Sequence, residues 1–454
     1  MIARRVDANH LESVARWLFG APLLLVLGLT HAISLEALAQ SAKPNNSFSP
    51  IPEEIQSLLT PDTVTKKSLI PFAPLQPLQD AWKYVDDRIE AETGLDLGVS
   101  LTAAWTQMTE SLPGTEDHAF GYDVGFYGQW PLLAKGTEWE GFLSFLVQGR
   151  DSLFTDVAPG SLFVNAGSLA GPVDSFDDNQ GFVLREVWWQ QGSKDAGLQY
   201  RIGKMAPNTI VGAVSQFDSA NLDFMALGQV VKLSARFPDP GFGAALGFYP
   251  EGNSKHQPHL HLYISDQNGD RQNWGDIDEG EFFTGAEIGF RPFPQTEKAP
   301  FWRFAAWHAD EQDKEGIASG YGILAKIEQE LSSDGRYIGV LNYGHSWGAS
   351  FARNQLTARL VIEDPFRFIN SDVHLAGDRL GLGASWVDPA VSGGRDEFNL
   401  EVYYRFPLFP NLDVTLDAQY MIKPALIPIA EDASPGTETF DDVFAFTVRF
   451  RTTF

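Results

Sequence analysis

The side chains able to do chemistry in this chain recur at every second position. Gln199 and Arg201, Lys232, Ser234 and Arg236, Lys326, Glu328 and Glu330, Asn399, Glu401 and Arg405, and Arg449 and Arg451 alternate with mostly apolar neighbours. Residues two apart on an extended chain share a face, so these groups line one surface. That surface carries both signs of charge, interleaved with amides and hydroxyls. A ring of one sign would select ions or phosphate. Mixed charge with amides supplies paired donors and acceptors, which suits a neutral, hydroxyl-rich solute. Trp188-Trp189 and the pair Trp302/Trp307 add flat faces for a sugar ring. Both spacings are odd, so one member of each pair points away from the polar surface.

Other chemistries find less support. His259 and His261 share a face, but no third ligand is evident, and no metal site is expected. With no cysteine at all, a disulfide framework, a thiolate zinc site and a Cys nucleophile are excluded. Nucleophile elbow, P-loop and dinucleotide fingerprint are absent. His345 and Ser346 form the one adjacent pair that a barrel hydrolase would use. The expectation is no enzyme and no cofactor. The 33 basic and 59 acidic residues leave a net charge of −26, which speaks against nucleic acid as a partner.

The elements that position the polar face are strands. Leu97/Val99/Leu101/Ala103/Trp105, Val231/Leu233/Ala235/Phe237, Phe242/Ala244/Leu246/Phe248, Leu400/Val402/Tyr404 and Leu412/Val414/Leu416/Ala418/Tyr420 all alternate with polar or small residues. Strict alternation marks a strand with one apolar and one polar face. About seventeen segments from Asp96 onward show it, and single-chain bacterial barrels close with an even number, so 16 or 18 strands are expected. Tight turns such as Pro238–Gly241 and Pro407–Asn411 contrast with long acidic connections at Asp151–Gln180, Ser265–Gly280 and Asp364–Gly377. Short turns at one end and long loops at the other fit an up-and-down barrel.

Periodicity does not say whether the apolar face meets a protein core or lipid. Four features favour lipid. Residues 96–454 carry no second helical layer. The strands run to about ten residues, the length a tilted strand needs to cross a bilayer. Aromatics bunch near strand ends (Trp105, Tyr122, Trp130, Phe237, Phe248, Phe290, Phe301, Trp302, Tyr404, Phe406), as interfacial girdles do. The last strand, with Phe444, Phe446, Val448, Phe450 and Phe454 at alternate positions, resembles the signal read by outer-membrane barrel-assembly machinery.

Upstream, Arg4, Arg5 and Arg16, the apolar run Trp17–Leu29 and Ala37-Leu38-Ala39 read as a signal peptide over 1–39. Residues 40–95 read as a periplasmic Pro-rich segment followed by an amphipathic helix from Leu78 to Thr93, where Leu78, Trp82, Val85 and Ile89 share a face and Gly94 caps the end. Residues 96–454 form the barrel. The expected fold is therefore all-β, a transmembrane antiparallel barrel with a short N-terminal helix, in the outer membrane of a bacterium.

"LREVWWQQG" (Leu184–Gly192), "LQYRIGKMAP" (Leu198–Pro207), "FDSANLDFMALG" (Phe217–Gly228), "GYGILAKIEQEL" (Gly320–Leu331) and the hairpin Glu401–Ala425 resemble the carbohydrate-selective porins of the OprB family. The resemblance runs from the helix to the last residue. It implies a 16-stranded barrel that passes glucose and related sugars passively, with long loops folded inward and charged and aromatic residues at the constriction. The pore-lining candidates are Arg185, Glu186, Trp188, Arg201, Lys204, Arg236, Glu401 and Arg405, with Arg201 the foremost sugar contact. Expected partners are small neutral carbohydrates, outer-membrane lipid and lipopolysaccharide, and further copies of the chain. The rival readings are a general or anion-type porin without sugar preference, and a barrel enzyme.

Overall fold

A computed structural model describes residues 68–176, 181–215, 217–252, 254, 256–293, 301–312, 316–348, 350–366, 375, 377–433 and 440–454. The expected signal peptide and most of the Pro-rich segment lie outside these residues. The described chain opens with helix α1 (Gln76–Thr93), which carries Pro in its first turn and ends on Gly94 at φ 78°. A left-handed residue there is the usual helix stop, and glycine takes it without strain.

Sixteen strands follow among the described residues: β1 (Asp96–Met108), β2 (His118–Leu133), β3 (Gly141–Ser152), β4 (Gly181–Ser193), β5 (Leu198–Met205), β6 (Gly241–Phe248), β7 (His259–Asp266) and β8 (Phe282–Phe290). They continue with β9 (Phe301–Ala309), β10 (Gly320–Glu330), β11 (Tyr337–Gly348), β12 (Ala352–Glu363), β13 (Arg379–Pro389), β14 (Glu397–Phe409), β15 (Leu412–Ile422) and β16 (Asp442–Thr453). Each pairs with its sequence neighbour, and β16 returns to β1 in antiparallel register, Ala103 opposite Phe450, which closes the barrel. Closure leaves no strand edge unpaired.

Burial decides which face is which. On β1, Leu101 and Trp105 are 41% and 37% exposed, whereas Thr102 and Thr106 are 1% and 0% exposed. The same inversion holds on β14 and β15, where Leu400, Val402 and Leu416 are exposed and Glu401, Asp417 and Gln419 are buried. Apolar side chains outside and polar ones inside is the polarity of a barrel in lipid, the reverse of a water-soluble sheet protein.

Three expectations need correction. Val231–Phe237 is no strand. It belongs to the 206–240 connection between β5 and β6, which accounts for the extra segment. Its alternation serves a strap lying on the inner wall: Leu233 packs with Ala352 and Val387, and Ala235 with Phe283 and Trp307. The strap's backbone is satisfied by the wall, with Leu233 N–H donating to the Gln355 amide oxygen (2.7 Å) and Leu233 C=O accepting from Ala352 N–H (3.0 Å). Next, the Asp364–Gly377 connection joins the bottoms of β12 and β13, so strand parity sets it at the end holding the chain terminus rather than with the other long loops. Finally, Phe237 and Phe301 are not girdle residues. Phe237 packs on Phe283 at 5.4 Å, and Phe301 lies under the Arg303 guanidinium at 4.7 Å.

Helix α1 rests on the rim at the terminus end. Gln79 Nε2 donates to the Thr453 carbonyl (3.2 Å), Asp86 accepts from Leu97 N–H (3.0 Å), and Trp130 Nε1 donates to the Thr93 carbonyl (3.0 Å). At the opposite end the strands β5 to β9 are only 8–9 residues long. The 206–240 loop drops into the lumen over this low wall.

Candidate functional site

Two loops occupy the lumen, and most of the charge on the inner wall holds them there. The first, 153–180, crosses from β3 toward β14. Glu397 accepts from Leu169 N–H (2.8 Å), the Ser168 hydroxyl and Ala425 N–H (2.9 Å), while Gln419 Nε2 donates to the Pro172 carbonyl (2.6 Å). The second, 206–240, follows the wall from β8 to β16. Glu287 accepts from Ala213 N–H (2.7 Å), Glu328 from the Ser215 hydroxyl (2.6 Å), and Lys326 donates to the Val214 carbonyl. The loops are tied to each other by Gly228 N–H to Ala170 C=O (2.6 Å) and Asp174 N–H to Met225 C=O (2.7 Å).

Irregular backbone inside a barrel exposes N–H and C=O groups that need partners, and charged wall residues supply strong ones. This shows most clearly at the tip of the second loop. Asp223 accepts from Arg379 (2.8 and 3.0 Å) and from the Tyr403 hydroxyl (2.7 Å), with Arg405 3.7 Å away. Arg449 donates to the carbonyls of Ala220, Leu222 (2.7 Å) and Asp223 (3.2 Å). Earlier in the loop, Asp218 takes Lys232 at 2.8 Å and Arg359 at 2.6 Å. Burial alone would raise the Asp218 carboxyl, but these two cations outweigh it and hold it at about 2, so it stays ionised.

The tip then meets the opposite wall. Asn221 Nδ2 donates to Asp123 Oδ2 (3.1 Å) on β2. Asp123 also accepts from Arg150 Nε (2.8 Å) and Gln148 Nε2 (2.9 Å), and Gln148 Oε1 accepts from Arg185 Nη1 (2.5 Å). Farther along the inner face of β4 and β5 come Glu186, Trp188, Gln190 and Arg201. The Arg201 guanidinium donates twice to Gln190 Oε1 (2.9 and 2.7 Å) and covers one face of the Trp188 ring at 5.0 Å. Among the described residues, Trp188 Nε1, Gln190 Nε2, Arg185 Nε, Ser219 Oγ and Asn221 Oδ1 are buried without a protein partner. Buried polar groups are costly unless hydrogen-bonded. Spread along the inner face of β4 (Arg185, Trp188, Gln190) and on the loop tip (Ser219, Asn221), they leave donors and acceptors for water or for a hydroxylated solute.

The eight residues singled out from sequence separate accordingly. Arg185, Glu186, Trp188 and Arg201 face this space together. Arg185 and Glu186 are adjacent and both point inward because a register shift between β3 and β4, at Leu146/Val147, leaves Arg185 unpaired. Lys204 does not join them. It pairs with Val187 and Phe242, on the outward side of the wall, and its Nζ donates to the carbonyls of Leu184 (3.1 Å) and Arg271 (2.8 Å). Arg236 lies on the strap and donates to the Ala318 carbonyl (2.9 Å). Glu401 and Arg405 line the lumen but are engaged with the loop: Glu401 accepts from Met225 N–H (2.5 Å) and Ala226 N–H (3.3 Å), and Arg405 donates to the Leu222 carbonyl (3.0 Å). Asp123, Ser219, Asn221 and Asp223 were not singled out. The last three sit in the quoted Phe217–Gly228 motif, where composition gives no hint of their partners. His345 and Ser346 are neighbours on β11 and project to opposite faces, with His345 on Asn354 (2.7 Å) and Ser346 on the Ala352 carbonyl (2.9 Å). They form no nucleophile–base pair.

The tandem tryptophans make a built-in control. Trp188 faces the lumen, and Trp189 faces outward, beside Gly141. For a sugar ring bound against Trp188, as the sequence motifs imply, Trp188→Ala removes one donor and one ring, roughly 1 kcal/mol or about fivefold in affinity. Trp189→Ala should leave sugar affinity unchanged. Titration of sugar-dependent current block in both variants checks this.

A closed 16-stranded barrel with an apolar exterior, a polar interior and loops folded into the lumen is the architecture of the porins. No protein-family model and no curated protein matches the sequence. Among solved structures, the high-pH form of Pseudomonas putida OprB is similar with a TM-score of 0.62 at 13% identity, over 82% of this chain and 97% of that one. Its low-pH form gives a TM-score of 0.49 at 11% identity, over 86% and 99%. A mutant Rh. blastica porin gives 0.49 at 10% identity, over 79% and 100%. The first of these likenesses establishes a shared fold.

Proposed function

We propose that the protein is a bacterial outer-membrane porin that lets small neutral carbohydrates, glucose among them, diffuse passively with preference over other solutes of their size. The observation that carries this reading is the row of buried donors without a protein partner on the inner face of β4 (Arg185 Nε, Trp188 Nε1 and Gln190 Nε2), with Ser219 and Asn221 of the 206–240 loop presenting two more unpartnered oxygens. Both signs of charge are present there, and the charged groups are largely neutralised by one another. A hydroxylated ring meets partners without displacing an ion pair. The barrel likeness to OprB supports the same reading, as do the sequence motifs. On this reading the outward apolar belt contacts outer-membrane lipid and lipopolysaccharide, and the wall offers surface for association with further copies. Residues 1–39 are the export signal, and 40–95 lie in the periplasm.

Swelling of liposomes loaded with the purified protein tests it. Hexoses should enter faster than amino acids and small anions of similar size, and entry should fall steeply from mono- to trisaccharides. Equal entry of sugars and amino acids would reduce the protein to a general porin. Faster entry of anions would make the inward-facing arginines, rather than the unpartnered donors and acceptors, the selective element.

A further inference from the structure

A second cluster lies on the inner wall, two strands along from Arg201. On β7 the rings of His259 and His261 stack with centroids 4.2 Å apart, and the β7–β8 register sets Glu287 directly opposite His261. All three are buried, at 8%, 1% and 1% exposure. One ligand atom from each lies within 4.8 Å of the other two. His259 Nε2 is 3.4 Å and His261 Nδ1 3.8 Å from the same oxygen, Glu287 Oε1. A cation held tetrahedrally at about 2.0–2.1 Å spaces its ligands by about 3.3–3.4 Å. Of the two edges to the carboxylate, one already has that span and the other is within a few tenths of an ångström, and the edge between the imidazoles is at most 4.8 Å.

We propose that His259, His261 and Glu287 form a binding site for a zinc-class divalent cation, which fastens the root of the 206–240 loop to β7 and β8. Two imidazoles and one carboxylate suit zinc and its transition-metal neighbours, whereas calcium and magnesium call for an all-oxygen set. The surroundings orient each ligand, as metal sites require. Glu287 Oε2 is held by Ala213 N–H (2.7 Å), and His261 Nε2 meets the Tyr249 hydroxyl (3.1 Å). In the metal-free state His261 Nδ1 donates to the Ile210 carbonyl (3.2 Å). Metal binding shifts the ring proton to Nε2, where the Tyr249 oxygen accepts it, and frees Nδ1 for the cation. Ala213 belongs to the loop root, so its bond to Glu287 couples the site to the loop, in exchange for the Ile210 contact that metal binding releases. Gly289, opposite His259, keeps room for the ring: a Cβ there would fall 2.4 Å from Cε1 and 2.7 Å from Nε2. Arg303 Nη1, 3.3 Å from Glu287 Oε1, is the opposing charge, with Lys194 and Arg291 farther out. These cations make Arg303→Gln a strengthening substitution.

The test is a cobalt(II) titration of tag-free, EDTA-stripped protein in detergent, with zinc as competitor. Saturable visible bands of tetrahedral cobalt, displaced by zinc, are expected. Tyr249→Phe, which keeps all three ligands, should weaken binding roughly 10–100-fold, and Arg303→Gln should tighten it. Glu287→Gln and Gly289→Ala should abolish the bands while the barrel keeps its heat-modifiable gel mobility. Absence of saturable bands in the wild type, or bands that persist in His259→Ala/His261→Ala, would overturn the proposal.

Discussion

Asp223→Ala should open the pore. This carboxylate neutralises Arg379, takes the Tyr403 hydroxyl and lies near Arg405 at the tip of the inward loop. Its side chain is fully buried. Removing one member of a buried ion pair costs roughly 3–5 kcal/mol, because the remaining cations are left uncompensated. That cost falls on docking of the loop, whose equilibrium should move by more than about a hundredfold toward release. The barrel is closed by its own ladder from β1 to β16 and does not depend on the loop. The expected result is a channel with raised single-channel conductance that admits trisaccharides, from a protein that still migrates as a folded, heat-modifiable barrel. Unchanged conductance in a folded variant would mean that Asp223 does not hold the loop.

The second large effect concerns which face meets lipid, and two neighbours on β15 test it. Leu416 points outward and is 41% exposed, and Asp417 points inward and is 1% exposed. Leu416→Arg puts a charge into the hydrocarbon near the middle of the strand and should cost roughly 2–4 kcal/mol of folding free energy in bilayers. Asp417→Asn keeps the shape and a hydrogen-bonding amide beside Gln419, so it should alter conductance while leaving assembly intact. Equal destabilisation in the two variants, measured by reversible urea unfolding in vesicles, would contradict the facing.

Much of the barrel is legible in the sequence because its signal is local. Leu97 to Trp105 alternates cleanly, and the same rhythm in the later strands forecasts both faces. The rhythm misleads at Val231–Phe237, because a strap lying on a wall also needs every second residue apolar. Strand parity already separates Arg201 from Lys204, three residues apart and so on opposite faces. A shared motif obscured that. By contrast, nothing local announces that Arg185 and Glu186 both turn inward, since the cause is a register shift against β3. The contacts that shape the site are also long-range. Asn221 meets Asp123, Asp223 meets Arg379 and Tyr403, and Glu287 meets His261, through loop placement and strand register that no short window contains. Composition reads the lumen charges as awaiting a solute, whereas many of them hold the two inward loops through backbone and side-chain contacts.

Recording of single molecules in planar bilayers, with a neutral hexose added on one side, bears most directly on the claim that a wet, narrowed lumen carries sugar. Discrete conductance steps in salt alone, interrupted in a dose-dependent manner by the hexose and less so in Trp188→Ala, are the predicted outcome. A folded, inserted protein that passes no ionic current would contradict it.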